Sequence, residues 1–374
     1  MEQVDGSRTR AATHILAFEE GAEAFKQGLA EVLVDVEVAQ TEPWSFRFNR
    51  RDGTTVARIL PGIGAAAAEL SGEEADKLRR NIRITVCPNE RRRLPPFWRR
   101  QPPPSDSMPN VAKALAPDRS WCLGAVGLDV DTRTTGAGIK VAVLDTGIEL
   151  DHPDLVGRVQ RGRTAVSFVP DVCVDDEVGH GTACAGIIAG ARNSSGGVRY
   201  SVASDAALLV GRVFDSFSEA EDEWVLEAIA WAAWQGARVI SLSMESERRV
   251  GGPYLDCYER LAKRLLDGDP GVLIVAAAGN SGNGSPVANP AACPSIMAAG
   301  AVTEKMGLYY RSSTALDDQR VDLVAPGEHV YSAWLTQDWK DYLEGTSMAA
   351  PHVAGVAALH LQQEDVSARR LWKV

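Results

Sequence analysis

Four polar residues stand next to apolar segments and could together form a catalytic site. Asp145 and Asn280 each end a short apolar run, while His180 and Ser347 each precede a run rich in small apolar residues. Apolar, β-branched runs of this length are typical of buried strands, and the small-residue runs are typical of tightly packed helices. The carboxyl ends of parallel strands gather at one edge of a sheet, where the following helices begin. We therefore expect these four side chains to meet at that edge.

The four residue types match the parts of a nucleophilic hydrolase. The Ser347 hydroxyl is a weak nucleophile and needs a base, and an imidazole such as that of His180 titrates near neutral pH. The Asp145 carboxylate would hold the imidazole in one tautomer and stabilise its protonated form. The Asn280 amide and the Ser347 backbone N–H would donate to a developing oxyanion. Each residue alone could be a cap, a surface histidine or a turn residue, so the hypothesis depends on their combination.

The elements that must position these residues alternate between strand and helix. The runs 139–144 and 272–278 predict buried strands, the first of which leads directly to Asp145. The run 353–359 predicts a buried helix, and Pro351 is expected in its first turn, where backbone N–H groups have no intrahelical partner. This alternation predicts an α/β, doubly wound domain with a parallel central sheet.

The order Asp, His, Asn, Ser and the residues around it resemble the subtilisin (subtilase) family of serine peptidases. The resemblance is carried by Val143-Leu144-Asp145-Thr146-Gly147-Ile148, by His180-Gly181-Thr182, by Ala277-Ala278-Gly279-Asn280 and by Gly345-Thr346-Ser347-Met348-Ala349-Ala350-Pro351-His352-Val353-Ala354-Gly355. It implies a subtilisin-like fold, with Asp145, His180 and Ser347 as catalytic residues. It also implies Asn280 as the oxyanion donor and cleavage of peptide bonds through an acyl-enzyme on Ser347.

The same resemblance assigns a substrate-binding role to residues near the site. These are Ser243, Met244, Glu245 and Gly279, in segments that resemble the walls of the pocket for the residue before the scissile bond. Glu245 stands where the family usually has glycine. Acidic residues also cluster at the expected edge of the cleft, at Glu219, Glu221, Asp222 and Glu223. They favour a preference for basic substrates, although a solvated acidic face without a role in specificity is an open alternative.

The resemblance implies that the chemistry needs no cofactor, but that structural calcium can be bound. Asp154 matches a calcium ligand of the family, and the loop 191–197, which contains Asn193, resembles a loop that donates further oxygens. Calcium takes about six to eight oxygen ligands, many of them from the backbone. A turn without a metal is the alternative. No histidine or carboxylate spacing predicts a catalytic zinc.

Residues 1–90 predict a separate small domain. Their pattern follows the order β-α-β-β-α-β, with helices at 20–33 and, beginning with a serine cap, at 71–80. This α+β, ferredoxin-like order resembles the inhibitory propeptide of subtilases, and an unrelated small binding domain is the alternative. Residues 91–118 are rich in proline and arginine and predict a linker. Residues 119–374 form the predicted peptidase domain, whose C-terminus is shorter than the family's.

Composition and charge exclude several classes of protein. The net charge of −11 argues against a nucleic-acid partner, and no run approaches the roughly 20 apolar residues of a membrane span, which argues against a membrane partner. Residues 1–8 lack the apolar region of a secretory signal, which predicts a cytoplasmic enzyme, or a secreted one if the sequence begins after its signal. The six cysteines show no close pair or metal spacing and predict reduced thiols. Cys184 follows His180 by one helical turn.

The sequence therefore predicts a serine endopeptidase that acts on polypeptides. It would be made as a self-inhibited zymogen, with its own N-terminal domain as the intramolecular inhibitor. Two alternatives stay open at this point. A latent subtilase could act as a binding or regulatory module, or the same triad could hydrolyse small acyl esters.

Overall fold

The computed structural model of the chain consists of an N-terminal unit and a larger α/β unit. It describes residues 12–18, 22–33, 36–51, 54–81, 84–94, 119–128, 133–315 and 320–374. The N-terminal unit is followed by a short strand that ends beside Leu94, and the α/β unit begins at Arg119. Most of the segment interpreted as a linker, residues 95–118, therefore lies outside the described residues.

The N-terminal unit is a six-stranded antiparallel sheet with two helices. Its elements are β1 (Ala12–Phe18), α1 (Ala22–Val32), β2 (Val36–Glu42), β3 (Ser45–Arg50), β4 (Thr55–Leu60), β5 (Ala65–Leu70), α2 (Gly72–Arg79) and β6 (Ile84–Pro88). The strand order is β2-β3-β4-β5-β1-β6. The structure thus has two strands more than the predicted order. The two additional strands lie between α1 and α2, where the structure has four strands and the predicted order has two.

Helix α2 begins where the sequence predicted a serine cap. The Glu74 backbone N–H donates to Ser71 Oγ at 3.3 Å, and the Ser71 backbone N–H donates to Glu74 Oε2 at 2.7 Å. This reciprocal pair satisfies two N–H groups at the helix start that would otherwise lack partners. The cap therefore fixes the boundary between β5 and α2.

Seven parallel strands form the central sheet of the α/β unit. They are β8 (Lys140–Asp145), β9 (Ala165–Ser167), β10 (Ala207–Arg212), β12 (Val239–Leu242), β13 (Leu273–Ala277), β14 (Met297–Val302) and β15 (Leu323–Pro326). Their order is β15-β14-β13-β12-β8-β10-β9, and each neighbouring pair is parallel. The predicted parallel sheet is confirmed. Because the chain leaves β8 in one direction and later returns to its other side, the carboxyl end of β8 lies at a topological switch point.

Helices cover both faces of this sheet. The α/β unit contains α3 (Trp121–Ala125), α4 (His180–Ala189), α5 (Asp222–Trp234), α6 (Asp256–Leu266), α7 (Thr346–Gln363) and α8 (Ala368–Leu371). Val141 and Val143 of β8 pack in one core with α4 and α7, whereas Ala142 and Leu144 pack in a second core with α5 and α6. Successive residues of a strand point to opposite faces, so the four central residues of β8, 141–144, are all apolar.

Two short antiparallel ribbons complete the described structure. One pairs β16 (Val330–Ala333) with β17 (Trp339–Leu343), and the other pairs β7 (Arg91–Arg93) with β11 (Glu219–Glu221). The structure differs here from the linker interpretation, because the first residues after the N-terminal unit form a strand on the α/β unit. Among the helices of the described ranges, none has the length and apolar character needed to cross a membrane.

The N-terminal unit packs on the α/β unit through one face of its sheet. Its own helices cover the other face. Ile15, Ala17 and Ala65 share a core cluster with buried residues of α5 and α6. Trp44 and Trp234 add a ring contact at 5.1 Å between centroids. An apolar face of this kind is typical of a specific, tightly packed interface.

A disulfide also joins the two units. Cys87 of β6 is bonded to Cys257 of α6, while Cys122, Cys173, Cys184 and Cys293 are free. The expectation of reduced thiols was therefore wrong for two of the six cysteines. The two are 170 residues apart in sequence, and only the docking of β6 on α6 brings them together.

We expect the disulfide to stabilise the docked arrangement. Cys257→Ser should lower the free energy of unfolding by about 2–4 kcal/mol in a denaturant titration, because a cross-link restricts the unfolded chain. Cys173→Ser, at an exposed free cysteine, is the control and should change it by less than about 0.5 kcal/mol. Under denaturing conditions without reductant, four thiols should react with a thiol reagent. Six reactive thiols would contradict the pairing.

Candidate active site

Asp145 and His180 meet at the carboxyl edge of the central sheet. Asp145 ends β8 and His180 begins α4, and both side chains are buried. His180 Nδ1 lies 2.7 Å from Asp145 Oδ1. Helix α4 can approach β8 this closely because Gly181 has no side chain: a Cβ atom there would lie 2.3 Å from the Gly147 carbonyl oxygen. The glycine beside His180 therefore makes the Asp–His contact possible.

Opposing effects act on the pKa of His180. Burial lowers this pKa, since it disfavours the charged imidazolium, but the Asp145 carboxylate and Cys184 act in the other direction. The net pKa of His180 is raised well above its ordinary value. The carboxylate beside Nδ1 also fixes the ring orientation, so that Nε2 is directed away from Asp145.

Ser347 lies in the first turn of α7 and is buried. The turn before it requires Gly345, which has a φ of 115° and lies so close to Asn280 that a Cβ would be 3.0 Å from its Oδ1 atom. Pro351 was expected in the first turn, but α7 begins at Thr346 and places it in the second. That prediction was wrong because the helix starts earlier than its apolar run.

The early start of α7 leaves the Ser347 carbonyl oxygen available to other donors. In a regular helix it would accept from the N–H four residues later, which Pro351 lacks. Ser243 Oγ donates to it instead, at 2.8 Å. Cys184 Sγ lies 3.7 Å from the same oxygen and 3.9 Å from His180 Nδ1. The backbone of Ser347 and the ring of His180 therefore contact one buried sulfur atom.

Asn280 is held against the start of the same helix. Its Oδ1 atom accepts from the Thr346 backbone N–H at 2.9 Å and from the Thr346 hydroxyl at 3.2 Å. Because a backbone N–H can only donate, this contact fixes which end of the amide is oxygen. The Nδ2 group of Asn280 therefore faces away from Thr346. All four residues that the sequence predicted for the chemistry lie at this edge of the sheet.

Asp176 is a buried carboxylate that joins the elements of the site, a role that was not predicted from the sequence. Asp176 accepts from the hydroxyls of Thr146 and Thr182 at 2.9 and 2.7 Å. Thr146 follows Asp145 directly, and Thr182 lies in the first turn of the helix that begins with His180. The backbone N–H groups of Gly179 and Thr182 donate to Asp176 as well, at 2.8 and 2.9 Å. Asp176 is thus a positioning residue for the Asp145–His180 pair.

A local signal for Asp176 is present in the sequence. Helix α4 begins after Gly179, which has no side chain to accept from the first N–H groups of the helix. An aspartate shortly before such a start is the kind of residue that supplies the missing cap. The hydrogen bond between Asp176 and Thr146 has no such local signal, because the two residues are brought together only when the chain folds.

Comparison with known proteins assigns the family. A sequence model described as the subtilase family matches residues 136–373. The chain belongs to the subtilase family. Over 228 residues it is 40% identical to thermitase of Thermoactinomyces vulgaris, a match that covers 61% of this chain and 76% of thermitase. It is 34% identical over 277 residues to the major intracellular serine protease of Bacillus subtilis (strain 168), which covers 71% of this chain and 78% of that protein.

Solved structures support the same assignment. A cold adapted subtilisin-like serine proteinase superposes with a TM-score of 0.57 at 29% identity, covering 68% of this chain and 90% of that one. Sphericase gives a TM-score of 0.56 at 29% identity, covering 67% of this chain and 86% of its own. This subtilase is therefore a serine-type endopeptidase with a subtilisin-like fold, which acts on polypeptides and needs no cofactor for catalysis.

Glu245 spans the gap between the ends of two neighbouring strands in this subtilase. It lies just beyond β12, and its Oε2 atom accepts from the Asn280 backbone N–H at 2.8 Å and from Asn280 Nδ2 at 3.3 Å. Burial raises the pKa of Glu245 to about 7, although the hydrogen bonds from Asn280 act to lower it. Near neutral pH the carboxyl group is therefore divided between its neutral and charged forms.

The other predicted substrate-binding residues lie on the same two chain segments as Glu245 and Asn280. The side chains of Ser243 and Met244 are both buried. The Ser243 hydroxyl donates to the Ser347 carbonyl, and Met244 packs in the core that contains α5 and α6. Gly279 has a φ of 112°, and a Cβ there would lie 3.4 Å from Glu245 Oε2. Of the four residues, Glu245 is the one whose side chain extends between the two segments. Their roles in substrate binding stay predictions.

The environment of Asp154 does not fit the predicted calcium site. Its two oxygens accept from Ser194 Oγ, the Ser195 backbone N–H, the Tyr200 hydroxyl and Trp339 Nε1, at 2.7, 2.8, 2.9 and 2.8 Å. Asp154 Oδ2 accepts three of these bonds and Oδ1 accepts the bond from Ser195, so the groups that face this carboxylate are hydrogen-bond donors. Burial and the nearby Asp154 raise the pKa of Tyr200, which keeps its hydroxyl protonated. Calcium requires oxygen acceptors in these places.

The other predicted calcium residue does not restore the site. Asn193 is exposed, in a loop whose next two residues donate hydrogen bonds to Asp154 through the Ser194 hydroxyl and the Ser195 backbone N–H. Tyr200 and Trp339 anchor the loop from the other side. The residues next to Asp154 in the sequence do not indicate these distant aromatic donors. Direct hydrogen bonds hold the loop around Asp154 together.

We expect the stability of this loop to depend on Tyr200 and not on calcium. Tyr200→Phe should lower the free energy of unfolding by about 1.5–3 kcal/mol, the usual contribution of a hydrogen bond to a charged group. Tyr254→Phe, at an exposed tyrosine, is the control and should have almost no effect. A chelator should leave the melting temperature of the wild-type protein unchanged. A melting temperature that falls with chelator and recovers with calcium would contradict this account of Asp154.

Proposed function

We propose that this subtilase cleaves peptide bonds through an acyl-enzyme formed on Ser347. His180 takes the proton of the Ser347 hydroxyl as that oxygen attacks the carbonyl carbon, and later gives the proton to the leaving amine. Asp145 stabilises the imidazolium that forms in between. Water then attacks the ester with His180 again as the base, which releases the acid product and the serine. The 2.7 Å contact between Asp145 and His180, beside the start of α7, is the observation that supports this mechanism.

Asn280 is the proposed donor to the oxyanion. Its amide is anchored through Oδ1 on Thr346, next to the nucleophile, which directs Nδ2 away from that contact. The Ser347 backbone N–H, in the first turn of α7, would be the second donor. Glu245 competes for the same Nδ2 group, at 3.3 Å. A bound substrate carbonyl would take over this weak contact.

The chain is proposed to be a self-inhibited zymogen. The N-terminal unit packs on α5 and α6, and strand β7, which follows it, is paired with β11 of the α/β unit. β11 leads directly into α5, at the edge of the cleft expected from the sequence. A strand paired there occupies a place that an extended substrate would need. The N-terminal unit therefore acts as an intramolecular inhibitor.

A preference for basic substrates follows from the charges beside the site. Glu245 lies next to Asn280 and is positioned to meet the residue before the scissile bond. Its neighbours at the edge of the cleft already bind cations, since Arg91 pairs with Glu219 at 3.0 Å and with Glu221 at 3.4 Å. An arginine-rich segment thus lies where basic substrates would lie.

We further propose that the enzyme works in an oxidising environment. Two relatives are named intracellular serine proteases, which supports the cytoplasmic location expected from residues 1–8. The Cys87–Cys257 bond supports the opposite, because disulfides are rare in the reducing cytoplasm. The disulfide is a property of this chain itself and therefore favours the oxidising environment over the location named for its relatives.

Replacing the nucleophile tests the proposed mechanism. In Ser347→Ala, turnover of casein should fall by roughly 10⁶-fold, as for the nucleophilic serine of subtilisin itself. After reduction of the Cys87–Cys257 disulfide, the mass of this variant should stay that of the full chain, whereas the wild type, cut between the two units, should give two smaller masses. Ser281→Ala, at an exposed serine, is the control and should behave as the wild type. Wild-type protein that neither reacts with a fluorophosphonate nor cleaves casein would support a binding module instead.

The pKa of Glu245 predicts a pH-dependent preference. Because the carboxyl is neutral below about 7 and charged above, the ratio of kcat/KM for arginine over leucine before the scissile bond should rise as pH increases from 6 to 8. The titration of His180 affects both substrates equally and cancels in the ratio. Glu245→Gln should make the ratio independent of pH, whereas Glu247→Gln, at an exposed neighbour, should not. Equal turnover of both substrates at every pH would contradict this preference.

A further inference from the structure

We propose that Asp222, Tyr258 and Ser246 form a pocket that selects an arginine side chain in an extended peptide bound beside the active site. The pocket is filled here by Arg92 of the chain's own strand β7. The inference rests on the proposed peptidase function and names one substrate position at which it is selective.

The guanidinium of Arg92 is buried and donates four hydrogen bonds from its three nitrogens. Its Nε and Nη2 groups donate to the two oxygens of Asp222, at 2.8 and 2.7 Å, in a bidentate pair. Its Nη1 group donates to Ser246 Oγ at 2.7 Å and to Glu90 at 3.0 Å. The Arg92 side chain is 2% exposed, although it comes from a strand at the surface. Such enclosure indicates a preformed recognition pocket more than a surface ion pair.

The pocket is built to recognise arginine rather than positive charge in general. Tyr258 donates to Asp222 Oδ1 at 2.7 Å, and burial raises the pKa of Tyr258, so that its hydroxyl stays a donor. This contact orients the carboxylate toward the planar fork of a guanidinium. A lysine ammonium donates from one nitrogen only, so it cannot reproduce the parallel pair of bonds that two guanidinium nitrogens make to the Asp222 oxygens.

The backbone around Arg92 binds in a way that any extended peptide could reproduce. Strand β7 is antiparallel to β11, with Arg92 opposite Ala220. The Leu94 N–H donates to the Ser218 carbonyl at 3.2 Å, just beyond the paired residues. Backbone pairing of this kind gives affinity without regard to sequence, and side-chain pockets along the strand give specificity. A substrate strand in the place of β7 would put one side chain on Asp222.

The pocket lies along the same chain segment as the candidate active site. Ser246 directly follows Glu245, which bonds Asn280 beside the start of α7. The strand β7 passes Asp222 first and reaches Ser218 afterwards. Ser216, two residues before Ser218, donates through its hydroxyl to Glu177, which lies three residues before His180. The arginine position is therefore on the amino-terminal side of the residues nearest the triad.

The charge of Asp222 explains why the pocket needs an occupant. Asp222 is buried, and a buried carboxylate without a cation is strongly unfavourable. When β7 separates from β11, an arginine of a bound peptide would replace Arg92 as the partner of Asp222. A neutral side chain of the same shape would leave Asp222 uncompensated, so citrulline is the matched comparison.

A binding experiment on the full chain tests the pocket without requiring catalysis. In Ser347→Ala with Arg92→Ala, fluorescent peptides would carry one arginine moved through successive positions, each paired with its citrulline counterpart. We expect one position at which the arginine peptide binds at least tenfold more tightly. Asp222→Asn should reduce that ratio to below twofold, whereas Asp365→Asn, which removes an exposed charge, should preserve it. Equal binding of the two peptides at every position would overturn the proposal.

Turnover by the wild-type chain gives an independent readout that needs no folded variant. The same peptide pairs should show a kcat/KM ratio of at least tenfold at one upstream position. Competition from Arg92 lowers both rates by the same factor and cancels in the ratio. Turnover without this positional ratio would overturn the pocket and leave the peptidase function intact. Absence of turnover together with the expected binding ratio would overturn the peptidase function and leave the pocket intact.

Discussion

Buried carboxylates are the constraint on which the rest of this structure depends. Asp145, Asp154, Asp176 and Asp222 are each at least nine-tenths buried, and each is compensated by donors from segments that are distant in sequence. A buried charge without such partners would cost several kcal/mol, so each aspartate requires its distant segments to be in place. The hydrogen bonds of these four aspartates therefore hold the strand ends, the helix starts and strand β7 together.

The sequence predicted the part of the site that depends on local pattern. Asp145 ends an apolar strand, His180 begins a helix beside glycine, and the sheet is parallel, so their meeting follows from topology alone. Ser347 and Asn280 were placed by the same reasoning. The parallel sheet and the capped helix α2 were predictable too, because their signals are contained within a few neighbouring residues.

The features that the sequence could not predict depend on long-range packing. Cys87 and Cys257 pair only because a sheet face docks on α6, and nothing near either residue indicates it. Asp154 resembles a calcium ligand locally, yet its Trp339 donor comes from 185 residues away. Pro351 was misplaced for another reason. Helix α7 begins several residues before its apolar run, so Pro351 falls in the second turn. The Ser243 hydroxyl, just beyond β12, donates to the Ser347 carbonyl in place of the N–H that Pro351 lacks.

The proposed inhibition and the proposed selectivity share one surface. The arginine that fills the Asp222 pocket belongs to the same chain, so its effective concentration is high, on the order of millimolar for a short tether. Cutting the chain after Leu94 alone would not disperse this segment, because Cys87 still ties the N-terminal unit to α6. A free substrate must therefore compete with a tethered strand until the backbone ladder of β7, the apolar interface or the disulfide is also lost. Activation of such an enzyme depends on weakening the docked interface as well as on cleavage.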